Sequence, residues 1–159
     1  MGITGVYYKE HGNLEEILAA RTEQPALDID KTWSLIVDMF PDIPLVPVGE
    51  QYKVDSQATE FGSFYLSAEK VAEIAEQIPE LKQPENVIKR IDFEKWKNIP
   101  EMDIEQLDER AMIMLAFPMQ SDETYEDLVD HYLLPHLQSV FELFEEAFAQ
   151  QQGLVFMIV

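Results

Sequence analysis

The last six residues, Leu154–Val159, are all apolar and follow directly on the longest helical pattern in the chain. A run this short, with no polar face, predicts a strand buried on both sides rather than a helix. Such a strand needs partners, and two stretches qualify. Ile3–Lys9 is rich in β-branched and aromatic residues, and Phe61–Leu66 (FGSFYL) is another short apolar run. The first and last strands are expected to be neighbours. The rest reads as helix, so the expected class is α+β, with a small mostly antiparallel or mixed sheet packed by several helices. At 159 residues the chain is expected to form one domain, 1–159.

The helical patterns are specific. Leu27–Phe40 (LDIDKTWSLIVDMF) places Trp33, Ile36, Val37 and Phe40 at i, i+3, i+4 and i+7, one face of a helix. Asp30 is the expected N-cap, since a carboxylate there accepts a free N–H of the first turn. Asn13 is the expected cap of a helix from Leu14 to about Thr22. Ser67 is expected to cap an amphipathic helix with Val71, Ile74, Ala75 and Ile78 inside, stopped by Pro79. Residues 84–98 read as partly helical, with Ile88, Ile91, Phe93 and Trp96 inward and Lys89, Arg90, Lys95 and Lys97 outward. A further helix is expected over Asp103–Phe117. Thr124–Gln152 is the longest pattern, with Leu137, Val140, Phe141, Phe144, Ala147 and Phe148 in one stripe. Pro135 should kink or divide it, and Gly153 should end it as the C′ residue. Residues 41–62, with prolines at 41, 44 and 47, have no clear period. They read either as a lid or binding loop, or as a passive insertion with a short extended piece near Leu45–Val48.

Charge excludes several functions. There are 11 Lys and Arg against 31 Asp and Glu, a net charge of −20 at pH 7. Nucleic-acid backbones and anionic membranes would be repelled, so neither is an expected partner. The chain holds no cysteine, which removes disulfides, thiol catalysis and Cys-based zinc sites. No apolar run reaches the length of a membrane span, and the start MGITGVYYKEHG lacks a secretory pattern. The missing cysteines fit a reducing cytosol.

Catalytic motifs are missing. No G-x-S-x-G, phosphate loop or G-x-G-x-x-G occurs. His131 and His136 flank Pro135 at a spacing of five, which fits no metal template, and His11 stands alone. Asp28 and Asp30 lie in one turn, too few oxygens for a hard cation. No metal and no cofactor is expected. Tyr7 and Tyr8 fall on opposite faces of the first strand. Residues 100–150 hold thirteen acids against Arg110 alone. Within them Glu142, Glu145 and Glu146, at i, i+3 and i+4, form a like-charge face that costs stability unless a cation meets it.

Four segments carry a resemblance: MGITGVYY, LDIDKTWSLI, YLSAEKVAEIAEQI and the apolar strand after the last helix. Together they resemble the YfbM-like family of small bacterial proteins. The resemblance implies a cytoplasmic single-domain α+β protein with no assigned catalytic residues. Where relatives have a His and a Leu-Leu-Thr-Gly-like turn after the Trp-bearing helix, this chain has VDMFPDIP.

Two functions remain open. One is a non-enzymatic protein that binds a basic protein partner through Glu142, Glu145 and Glu146, in the manner of an immunity protein or inhibitor. The other is a small-molecule-binding protein or enzyme. Its pocket would be formed by Tyr7, Tyr8, Asp28, Asp30 and Trp33 with the 41–62 loop. The sequence does not set the oligomeric state.

Overall fold

A computed structural model describes residues 4–10, 14–19, 24–98 and 124–159. Five strands form one antiparallel sheet: β1 (Gly5–Lys9), β2 (Leu27–Asp28), β3 (Lys53–Val54), β4 (Ser63–Leu66) and β5 (Leu154–Ile158). Their order is β2-β1-β5-β4-β3. The C-terminal apolar run therefore lies at the centre, and all five β5 residues are buried. The first strand is its direct neighbour, with Tyr7 opposite Phe156. Two strands were not expected. β2 and β3 are two residues each and lie at the edges, too short to leave a period in the sequence. The extended piece expected near Leu45–Val48 is absent as a strand, and Lys53–Val54 pairs with β4 instead.

Side chains alternate across the sheet. Phe64, Phe156 and Tyr7 line up on one face, with ring centroids 6.5 and 4.9 Å apart. That face packs on the main core. The other face carries Val6, Val155 and Met157, covered by Ile17 of α1 (Leu14–Leu18) and by Ala58. The cap expected at Asn13 lies outside the described residues, and α1 ends at Leu18, short of the Thr22 expected.

Helix α2 (Thr32–Met39) sits inside the main core, with six of its eight residues buried. The expected N-cap is corrected here. Lys31 holds the cap position and no side chain caps the helix, because the Asp30 carboxylate turns elsewhere. Gly5 lets α2 approach the sheet closely: a Cβ there would lie 2.7 Å from the Phe156 ring and 3.0 Å from Trp33 Cβ.

Helix α3 (Ala68–Leu81) is capped by Ser67, which accepts the Lys70 N–H. Pro79 does not stop it. The helix runs two residues further, although Pro79 has no N–H to donate to the Ala75 carbonyl. Helices α4 (Pro84–Ile88) and α5 (Phe93–Asn98) follow. Trp96 and Ile91 are buried as expected, but Ile88 faces solvent. The helix expected over Asp103–Phe117 lies outside the described residues.

The long C-terminal pattern is divided. Helix α6 (Tyr125–Leu128) opens on a capping box between Thr124 and Asp127. A π-turn (Val129–Leu133) follows, then α7 (Leu134–Ala149), with Pro135 in its first turn. The stripe from Leu137 to Ala147 is buried, but Phe148 is 47% exposed. The expected C′ glycine is also corrected. Gln151 takes the left-handed conformation, at φ 54°. Gly153 is needed for space, because a Cβ would meet the Leu66 carbonyl and Glu10 carboxylate at 2.6 Å.

Candidate functional site

Three places were candidates: the Asp28–Asp30 turn, the cleft beside Trp33 and the acids of the last helix. The turn is built from its own side chains. Asp28 Oδ1 accepts the Asp30 N–H at 2.8 Å, and Asp30 adopts φ 49°. The Asp30 carboxylate accepts the hydroxyl of Tyr132, delivered from the π-turn. Burial, and then the Asp30 carboxylate, push the Tyr132 pKa well above its ordinary value, so the hydroxyl stays a donor. Thr32 Oγ1 donates to the Ile29 carbonyl at 2.5 Å. Asp30 thus fastens the start of α2 to the π-turn, and Asp28 holds the local turn that carries it. His136 Nδ1 lies 2.7 Å from the Tyr132 carbonyl, which makes it a protonated donor nitrogen, and His131 is exposed. Among the described residues, no three His, Asp or Glu side chains converge to hold a metal ion.

The five residues expected to line one pocket do not meet. Tyr7 is fully buried and donates to the Leu45 carbonyl at 2.6 Å. Burial pushes its pKa well above the usual phenol value. Tyr8 packs against the opposite face of the sheet, with α1. Asp28 is exposed, and Asp30 is held by Tyr132. Trp33 alone of the five lines the cleft.

That cleft measures about 680 Å³ and opens between α2, the 41–53 segment and the β4 end of the sheet. Trp33, Phe40, Tyr52, Phe61 and Phe64 supply aromatic wall, and Pro41, Pro44 and Pro47 also line it. Three charged residues of the lining, Asp42, Glu50 and Lys53, are held in ion pairs. Arg90 Nη1 meets Asp42 at 2.7 Å and its guanidinium lies 4.7 Å from the centre of the Phe40 ring. The hydrogen bond from Arg90 holds the Asp42 carboxyl below its ordinary pKa. Lys53 and Glu50 approach to 3.9 Å.

No family model, curated protein or solved structure matches this chain. The assignment of function therefore rests on its own geometry.

The acids of α7 are arranged as the spacing requires, but their counter-ions come from the chain itself. Glu146 pairs with Lys9 at 2.9 Å, Glu145 with Lys82 at 3.3 Å, and Glu142 accepts from Gln138. The like-charge strain that pointed to an external cation is relieved from within. A second acidic row escaped the sequence reading. Glu69, Glu73, Glu76 and Glu80 are all exposed on α3, which packs against α7. Their 4-3-4 spacing, offset from Val71, Ile74 and Ile78, was the available signal. Among the described residues, no helix is long and apolar enough to cross a membrane.

Proposed function

We propose that this protein is a non-catalytic binding protein that takes a basic protein partner on the acidic face of α3 and α7. The supporting observation is the pairing of two carboxylate rows, Glu69, Glu73, Glu76 and Glu80 beside Glu142, Glu145 and Glu146, on packed neighbouring helices. Among the described residues, Lys9, Lys70 and Lys82 form ion pairs with these seven carboxylates, so the face stays negative. Opposite charge on a partner would speed encounter and set orientation. An inhibitor of a basic enzyme or toxin has these properties. A YfbM-like domain working in the cytoplasm belongs to the same reading.

The test is capture of partners from lysate at low and high salt. Screening contracts from about 10 Å at 0.1 M to about 3 Å at 1 M, so capture should fall steeply. Converting Glu69, Glu73, Glu76 and Glu80 to Lys should abolish it. Salt-insensitive capture, or recovery of acidic partners only, sinks the proposal.

The cleft supports a second reading, a small molecule with an apolar body. Its volume lies within the roughly 300–1,000 Å³ of ligand sites. A thermal-shift screen should then find ligands that move the Trp33 indole signal in NMR and leave that of buried Trp96 in place.

A further inference from the structure

Phe148 is an apolar side chain that the fold leaves uncovered. It continues the stripe of Phe141 and Phe144, which are 2% and 0% exposed, yet is itself 47% exposed. Beside it lies a recess of about 500 Å³, lined by Ala68, Glu69 and Ala72 of α3 and by Phe148, Ala149 and Gln151 at the end of α7. The alanines make the recess smooth and apolar, and Gln151, at φ 54°, turns the chain away at its edge. The recess lies between the two helices that carry the acidic rows, with Glu69 in its wall and Glu73 and Glu76 on the following turns.

We infer that this recess is the anchor point for the basic partner, and that the partner inserts an aliphatic or aromatic side chain flanked by Lys or Arg. The inference rests on the proposed acidic-face reading and adds the feature that would give it affinity. Charge at an interface governs encounter, while a few desolvated apolar residues near its centre hold the complex together. Charge also selects the occupant. A second copy of this chain brings another net −20, and an anionic lipid surface is likewise repelled.

The test uses three synthetic helical peptides: an amphipathic Lys/Leu peptide, the same with every Leu replaced by Ala, and the same with every Lys replaced by Glu. The Lys/Leu peptide should bind and shift backbone amides at 68–72 and 148–151. Phe148→Ala and, separately, Ala149→Arg should each weaken it about tenfold, in line with loss of a central anchor, without lowering Tm. Both positions are exposed, so either variant alone can decide. Equal binding of the Lys/Ala peptide, unaffected by either substitution, overturns the anchor and leaves the acidic face standing. No binding by any peptide overturns both. Self-association abolished by Phe148→Ala makes a second copy the occupant and also overturns the inference.

Discussion

Replacing Gly5 by Ala tests how α2 is held on the sheet. The added methyl would lie 2.7 and 2.9 Å from two carbons of the Phe156 ring and 3.0 Å from Trp33 Cβ. Unstrained carbon contacts are about 3.5–4.0 Å, so the surroundings must yield by most of an ångström. They have little room. The Phe156 ring is fully buried and lies between Tyr7 and Phe64, and Trp33 Cβ is fixed to the backbone of a buried helix. Overpacking of this kind costs about 1–3 kcal/mol. For a chain of this size each kcal/mol moves Tm by about 2–4 °C, so a cost near 2 kcal/mol lowers Tm by about 4–8 °C. Gly49→Ala is the control: the nearest atom to its Cβ is 3.7 Å away, and the change should stay within about 0.5 kcal/mol. Thermal unfolding followed by circular dichroism measures both. A Gly5→Ala protein that melts with the wild type would refute the close approach of α2 to β1 and β5.

Other substitutions probe separate contacts. Asp38→Ala removes the acceptor of the Trp96 indole N–H, 3.1 Å away, and should cost about 1–3 kcal/mol in urea unfolding, because that N–H is left buried without an acceptor. A loss below about 0.5 kcal/mol would mean the indole finds another partner. Ser63→Ala should leave stability unchanged or raise it by about 1 kcal/mol, since the buried Ser63 hydroxyl has no hydrogen-bond partner among the described residues. A clear fall in Tm would contradict that. Tyr65 has its pKa raised to about 12, by burial first and then by Glu10. Its stabilising contribution is complete below the unfolded value near 10 and is lost as pH rises towards 12. Tyr65→Phe should flatten the fall in stability over that alkaline window, and an unchanged slope would refute the assignment. Asp42 works in the opposite direction. Its depressed pKa, caused by Arg90, gives a contribution present above the unfolded value near 4 and lost on acidification, which Asp42→Asn should erase.

The architecture was legible wherever one period ran over several residues. The C-terminal strand, the Trp33 helix and the Ser67 cap all follow from patterns that need no tertiary knowledge, whereas the order of the strands does not. Edge strands of two residues hold no period and were invisible. Asp30 misled because capping preference is local. The acceptor it offers the α2 N-terminus is taken by a hydroxyl 102 residues away in sequence. Gly153 misled for the same reason: its small size serves a crowded neighbour, not a helix end. At the candidate site, Trp33 was placed beside the proline-rich segment, where the cleft lies. Tyr7, Tyr8, Asp28 and Asp30 were expected there too but do not line it: Tyr7 is spent on the Leu45 carbonyl inside the core, Tyr8 is on the other face of the sheet, and the aspartates are spent on their own turn and Tyr132.

The central position of β5 constrains how the protein can be made. Strands β1 and β4 both pair with it, and nearly the whole chain separates β1 from its partner. Until residues 154–158 leave the ribosome, both must wait with open hydrogen-bonding edges, an arrangement prone to joining the wrong chain. The surplus of carboxylates carried by every growing copy opposes such encounters during synthesis, a benefit distinct from any binding they support once folding is complete.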